Sequence, residues 1–508
     1  MSDQALLLVD ADHVHRYLFE TPFLAETRGA AALSDNLNRL ITRDIIEHIA
    51  GPDSVIYADG GSALAVVPAN QVEQIVHRLR LAYRTMTRDG ATVTGAAVPL
   101  GVGQEQRTFG DAFRQVTIAL RAAKQADVSP VTVAGHPLIA TCDACGRRPA
   151  ERRGSGGRHR SVCVACEAKR QEQERDPSTG PWARLAWFAE SAGDDVRMLR
   201  RVRPHSLNDI ASGAGSDGYM GLIACDGNSF GQRLQSFNTR ERAAGFAEVT
   251  NDLLEDVTFR TMLDTVPVEV INNMPCLPCE PLLLGGDDVL LLAPANLALQ
   301  LALRLVQRFE QECPGRTGGE KLFLSAAVVL APATVRIGRL QAIAADLLQS
   351  AKRRFQDQGG TTSTVDYWVT RDGIGDLPSR IRTGRLTERK KDETLTLTQR
   401  PLTASRLAAI LQDVEHLSTH HVPVELLTSI ASAATQSRSH ASMATRAALS
   451  SCTGTQRGAL TRALVGQQAA DDIPWRRDTN RGPNAYTTPV LDILELLPFV
   501  SKAVHAAS

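Results

Sequence analysis

The sequence contains no apolar stretch of the roughly 18 residues that a bilayer crossing needs. Residues 1–9 lack the charged head and long apolar core of a signal peptide. These absences exclude a membrane partner, and the expected compartment is the cytoplasm. Neither sign of charge is in excess: Lys+Arg and Asp+Glu each number 56, for a formal net charge of zero. A chain that coats nucleic acid along its length is usually basic, so extensive RNA binding is disfavoured. The nine cysteines are an odd number. In a cytosolic chain, four of them in CxxC spacing point to metal rather than to disulfides. With 508 residues, 43% of them hydrophobic and 22% charged, the chain is ordinary globular material for roughly three or four domains.

One stretch organises the rest. Two apolar runs, Pro281-Leu282-Leu283-Leu284 and Val289-Leu290-Leu291-Leu292, flank Gly285-Gly286-Asp287-Asp288. Runs of this length broken by glycines predict two strands joined by a tight turn. The plain reading of the acids is a solvated turn. Adjacent carboxylates on a buried hairpin, however, repel each other unless a cation compensates.

The same pattern occurs earlier. Val67-Pro68-Ala69-Asn70 corresponds to Ala293-Pro294-Ala295-Asn296 at an offset of 226, which sets Asp59-Gly60-Gly61-Ser62 against Gly285-Gly286-Asp287-Asp288. An internal repeat of this kind bears on the fold of the whole chain. In the first copy we expect a strand at 5–12, helices at 34–49, 70–86 and 113–126, a hairpin at 53–67, and strands at 91–99 and 131–133. In the second we expect a strand at 221–227, helices at 240–263, 296–312 and 338–355, and strands at 321–330 and 364–369. Each copy predicts a ferredoxin-like α+β unit, an antiparallel sheet with helices on one face. The copies differ where it matters, because Gly61 and Ser62 stand where the second has Asp287 and Asp288. This is the pattern of an active unit paired with a degenerate one.

Between the copies, Cys142-x-x-Cys145 and Cys163-x-x-Cys166 flank a charged, glycine-rich segment. Two CxxC knuckles at this separation predict a closed, structural Zn²⁺ site; His159 is a weaker candidate ligand. A polar linker is expected at 171–180 and a loop at 208–218. Cys276-x-x-Cys279 could form a second metal site only with Cys225 and Cys313, whose spacing is poor, so these four read as buried thiols. Residues 373–508 show no clear strands, and helical periodicity at 402–417, 423–434 and 442–465 predicts a helical domain. The charge run at 385–393 reads as a solvated face or a phosphate contact, and 474–483 as irregular. The predicted division is 1–137, 138–180, 181–215, 216–372 and 373–508.

Asp226 ends the first strand of the second copy, beside the hairpin. With Asp287 and Asp288 it would bind one or two Mg²⁺ or Mn²⁺ with positions open for phosphate oxygens. Gly227, Gly285 and Gly286 would leave room for a nucleotide. Lys352 could reach its triphosphate, or could be a surface lysine near a helix C-terminus.

The turn Asp226-Gly227-Asn228…Phe230-Gly231, the Gly-Gly-Asp-Asp hairpin, the strand Leu324-Ser325-Ala326-Ala327-Val328-Val329 and the helix end Leu347-Leu348…Ala351-Lys352 resemble the second palm domain of the large subunit of type III CRISPR effector complexes. That family is related to GGDEF cyclases. The first copy, with Leu18-Phe19-Glu20 and Glu26-Thr27-Arg28-Gly29, resembles the same subunit's degenerate first palm; the zinc knuckle and a helical C-terminal domain fit as well.

The resemblance implies an enzyme that joins ATP into cyclic oligoadenylate messengers with release of pyrophosphate, in antiviral defence. Asp226, Asp287 and Asp288 would hold metal, Gly285 and Gly286 would line the nucleotide, Lys352 would contact its phosphates, and Asn228 and Ser229 would touch ribose or base. The first palm would hold the acceptor without ligating metal. No N-terminal HD nuclease is expected, and the chain could be a free-standing homologue. Defence-complex subunits or an RNA activator are possible partners. The alternatives are a cyclase acting on a single NTP or on GTP, or a catalytically weak palm-fold scaffold or RNA- or nucleotide-sensing subunit of a defence complex.

Overall fold

The computed structural model describes residues 4–100, 108–126, 139–153, 161–175, 180–191, 202–372, 375–389, 393–465 and 473–500. The expected strand at 131–133, and His159, lie outside the described residues.

The first unit is built on a four-stranded antiparallel sheet. Its centre is Gln4–Asp12, flanked by Ser62–Pro68 and Thr92–Leu100, with Val55–Asp59 at the edge beyond Ser62–Pro68. This is the ferredoxin-like order. The second unit repeats it: Tyr219–Gly227 lies between Asp288–Pro294 and Leu324–Pro332, and Glu280–Gly285 pairs with the outer side of Asp288–Pro294. The hairpin match extends to a defect. Both edge strands carry a register shift, between Val55 and Tyr57 in one and Pro281 and Leu283 in the other, again 226 residues apart. A bulge bends its strand and re-aims the residues beyond it, so both turns leave their sheets in a similar way.

Two expectations are corrected. The second sheet is not wholly antiparallel, because Thr364–Val369 runs parallel to Leu324–Pro332. Nor do helices cover one face only. Ile223, Cys225, Val289 and Leu291 belong to one core, while Leu222, Ala224, Leu290 and Leu292 belong to another on the opposite face. The first packs on the helices Arg240–Thr265 and Ala295–Arg316, the second on Ile337–Asp357 and on Tyr17, Leu18 and Leu24 of the first unit. The continuous apolar runs explain this. A strand with one wet face alternates, and these do not. The first unit thus supplies part of the second unit's cover.

Buried ion pairs fix the two units and their attachments. Arg28, on the helix Leu24–Asn36, reaches Glu280 at 2.5 Å, and Glu280, fully buried, also accepts from Arg203. Lys169, on the helix Val164–Arg175, is fully buried against Glu20 at 2.5 Å. That helix covers the first half of the expected linker, 171–175, and residues 176–179 lie outside the described ones. The expected loop at 208–218 holds the helix Leu207–Ser212, started by a capping box between Ser206 and Asp209.

The region after residue 372 is helical but also contains strands. Leu402–Thr403 adds to the second unit's sheet beside Thr364–Val369. Thr387–Arg389, Thr394–Thr396, Ala485–Thr487 and Arg476–Arg477 form a small sheet of their own. These strands have two or three residues each, too few for a period-2 pattern to register. The expected helix at 442–465 is two, Arg438–Ser451 and Gly454–Leu464. Buried Arg400, paired with Asp492 and Glu495 at 2.8 Å each, anchors this region beneath Tyr367. No helix of the described residues is long and apolar enough to cross a membrane.

Candidate active site

Sheet register brings the three acids together. Asp226 pairs with Asp288 on one side and with Ser325 on the other. Asp287 sits in the turn, whose carbonyl accepts from Gly227 N–H at 3.0 Å. That approach requires glycine: a Cβ on Gly227 would lie 2.9 Å from Asp287 Cβ and 2.7 Å from the Phe230 ring. One carboxylate oxygen from each of Asp226, Asp287 and Asp288 falls within 4.8 Å of the others. Burial, then the charge of Asp226, pushes Asp287 up to about 6 and Asp288 well above the usual carboxylate range. Asp226 is also raised by burial, against the pull of Lys352, whose Nζ lies 2.5 Å from its Oδ2. Three hard oxygen donors held this close, with one lysine among them, suit a divalent cation.

The remaining expected residues fall into two groups. Gly286 takes a left-handed φ of 64° in the turn, and exposed Ser229 takes 66° where the strand passes into the helix Phe230–Gln235. Both lie within three residues of the carboxylates in sequence. Asn228 is instead turned into the fold. It is buried, and its Oδ1 accepts from Ser325 Oγ at 2.8 Å. Gly285 faces the first unit: a Cβ there would lie 2.1 Å from Asp59 Oδ1. Its missing side chain makes room for the other hairpin.

The first unit holds a counterpart that sequence comparison missed. Asp10 pairs with Ser62 and Thr94, as Asp226 pairs with Asp288 and Ser325. Lys124, on the helix Phe109–Ala126, places its Nζ 2.5 Å from Asp10, as Lys352 does to Asp226. The strand acid and helix lysine are therefore retained, and only the hairpin acids are absent. The signal was present in the acids ending the first strand. Unequal loop lengths hid it, since Asp10 and Asp226 are 216 apart whereas the hairpins are 226 apart.

Between the two units opens a cleft of about 750 Å³, lined among others by Asp10, His15, Gly60, Arg147, Asp288 and Arg336. This is the size of a small-ligand site. Its lining brings Asp10 and Asp288 together with Arg147 from the cysteine module and Arg336 from the second unit. Neither arginine has a side-chain partner among the described residues. No sequence pattern singled out His15, Arg147 or Arg336, because they meet only through the docking of three segments.

The cysteine module has the geometry expected for zinc. The sulfurs of Cys142, Cys145, Cys163 and Cys166 all lie within 4.8 Å of one another, and Cys145 and Cys163 are 3.9 Å apart. Zn–S bonds of 2.3 Å at a tetrahedral centre place sulfurs about 3.8 Å apart. Cys225, Cys276, Cys279 and Cys313 are buried, and none of them belongs to a metal-binding cluster among the described residues.

Residues 219–359 match the family model of the Cas10/Cmr2 second palm domain. No curated protein matches the sequence. Among solved structures, a Csm1–Csm4 cassette in complex with cA4 aligns with a TM-score of 0.60 at 13% identity, over 99% of this chain and 70% of that one. The same cassette with one ATP gives 0.55 at 14% identity, with the same coverage. Csm1 in T.onnurineus gives 0.57 at 13%, again over 99% and 70%. At such identities the likeness speaks for the fold, which is that of a two-palm protein with an inserted cysteine module. The resemblance read from the hairpin and its upstream acid is borne out.

Proposed function

Because residues 219–359 match the Cas10/Cmr2 second palm domain, we propose that the protein is a metal-dependent nucleotidyl transferase. It joins ATP into cyclic oligoadenylate and releases pyrophosphate, in antiviral defence of the type III CRISPR kind. The carrying observation is the convergence of Asp226, Asp287 and Asp288 on one point at the edge of a nucleotide-sized cleft. Related folds solved with ATP and cA4 support the choice of adenine nucleotides.

In this reading Asp226, Asp287 and Asp288 hold Mg²⁺ or Mn²⁺, which when bound lowers the pKa of an attacking hydroxyl and neutralises a leaving pyrophosphate. The residues of the chain do the rest. Lys352 exchanges its contact with Asp226 for the donor triphosphate. Gly286 and Ser229, on left-handed backbone, border the donor. The first unit, lacking carboxylates at Gly61 and Ser62, holds the acceptor without metal. Its ribose hydroxyl attacks the donor α-phosphorus, the bond to pyrophosphate breaks, and the hydroxyl proton leaves to solvent or to a carboxylate. Repetition extends the chain, and an internal attack closes the ring. The structural zinc is held by Cys142, Cys145, Cys163 and Cys166. Other defence-complex subunits and an RNA activator are the proposed partners, in the cytoplasm.

The test is incubation of purified protein with labelled ATP and Mg²⁺, alone and with candidate activating RNA. We expect a cyclic product and pyrophosphate from the natural protein, and neither from the Asp287→Ala/Asp288→Ala variant. Absence of both from the natural protein under every activating condition would favour a nucleotide-sensing scaffold.

A further inference from the structure

The two hairpins meet tip to tip, and one side chain joins them. Asn251 lies on the helix Arg240–Thr265. Its Nδ2 donates to Asp59 Oδ2 at 2.8 Å, on the degenerate hairpin. Its Oδ1 accepts from the N–H of Gly286 at 3.1 Å, in the turn that carries Asp287. Only one orientation of the amide satisfies both partners, since the N–H needs an acceptor and the carboxylate a donor. Asp59 is fixed in turn: its Oδ1 accepts from Gly60 N–H at 2.7 Å, and Arg39 stands 3.3 Å from its Oδ2. The backbones are in close contact. A Cβ on Gly60 would lie 2.5 Å from the Gly285 carbonyl oxygen, and one on Gly285 would lie 2.7 Å from Gly60 N. A second bond runs beside the first, from Arg184 to the Leu284 carbonyl at 2.5 Å, while Arg184 also holds Glu255 at 2.8 Å, one helical turn beyond Asn251.

Gly286 directly precedes the two acids, so whatever holds its N–H sets where their carboxylates point. We propose that Asn251 is a positioning residue. It clamps the Gly285-Gly286-Asp287-Asp288 turn to the degenerate hairpin through Asp59, so the metal-binding carboxylates are aligned only while the two units are docked. The inference rests on the functional reading above for its consequence in catalysis, but not for its consequence in metal binding. It also gives the degenerate hairpin a role. Asp59, held by Gly60 and Arg39, is the fixed end of the clamp.

Three full-length variants test this by two readouts, Mn²⁺ affinity by electron paramagnetic resonance and steady-state product formation. Zinc content and unfolding temperature are followed alongside. Asn251→Ala is expected to weaken Mn²⁺ binding and lower kcat by about 10–100-fold, the range found when a group that orients metal ligands is lost. KM for ATP should move much less. Asn251→Asp keeps an acceptor for Gly286 but sets a carboxylate against Asp59, and should lose at least as much. Combining Asn251→Asp with Asp59→Asn exchanges donor and acceptor across the same contact, and should recover most of both losses. A merely structural asparagine would not be rescued by the exchange. Mn²⁺ affinity unchanged in Asn251→Ala, or a double variant no better than Asn251→Asp alone, would overturn the proposal. If the natural protein makes no product yet these variants shift Mn²⁺ affinity as described, the clamp stands and the functional reading falls.

Discussion

Lys352 stands 2.5 Å from Asp226, and Lys124 stands at the same distance from Asp10 on the equivalent strand of the other unit. Each lysine reaches from the last described helix of its unit to the acid at the end of the central strand. In the second unit the ammonium lies where a divalent cation would compete for the same oxygen. On the proposed function it is a placeholder among the acids, and once released a cation for phosphate. Lys352→Ala is expected to leave Mn²⁺ affinity equal or higher, because a competing charge is gone. It should raise KM for ATP about 10-fold or more, the loss of a charge-assisted hydrogen bond of roughly 1.5–3 kcal/mol. Titration of Mn²⁺ beside steady-state kinetics separates the two effects. A fall in both affinities would argue that the lysine only holds Asp226 in place.

Asp287 and Asp288 are held against their own preference. Burial and the nearby Asp226 raise both, Asp287 to about 6. Ligand sites commonly hold such strain. In Mg²⁺-free buffer Asp288→Asn should therefore raise the unfolding temperature, with a gain on the order of 1 kcal/mol, while abolishing product formation. Calorimetry with and without Mg²⁺ checks this. The natural protein should be stabilised by the ion and the variant should not.

The cysteine module makes a separate prediction. Metal analysis should find about one zinc per chain, as four thiolates at one centre require. Cys163→Ser should lose zinc and unfold the module. Its effect should extend to the cleft, because Arg147 is two residues from Cys145 and lines the space above Asp288. Less than about one zinc in protein purified without chelator would contradict the assignment.

Stability should also depend on pH through the acids behind the hairpins. Burial raises Asp59 to about 6, Asp35 to about 6 and Glu255 to about 7, with Arg39, Arg184, Asp252 and Asp256 around them. All three are raised in the fold, so the folded protein holds protons that the unfolded chain releases. Their contribution is complete below about pH 4 and is lost as pH rises through about 6–7. In Mg²⁺-free buffer the unfolding temperature should fall between pH 5 and pH 7.5. Glu255→Gln should flatten the upper part of that slope. A variant with the natural slope would place the titration elsewhere, Asp287 and Asp288 being the next groups to replace.

The sequence determined a good deal. Most strand, hairpin and helix positions in both units follow from apolar runs and their period, though the helices Val14–Phe19 and Leu24–Asn36 do not, and the repeat follows from the offset of 226. The meeting of Asp226, Asp287 and Asp288 could be expected, because the split βαβ pattern sets the first strand beside the hairpin. The clustering of the four cysteines could be read because their spacing is local. The short strands after residue 372 could not, having too few residues to show a period.

Tertiary structure alone decided the rest. The pairing of Asp10 with Lys124 joins residues more than a hundred positions apart, and unequal loops conceal its likeness to Asp226 and Lys352. Gly285 reads in sequence as room for a ligand, but in the fold it is room for Asp59 and Gly60. The approach of the two hairpins, and Asn251 between them, arises from the docking of two units whose contact faces carry no periodic signal. A period records which face of one element is buried. It does not record what that face is buried against, and in this protein the setting of the acids depends on the second.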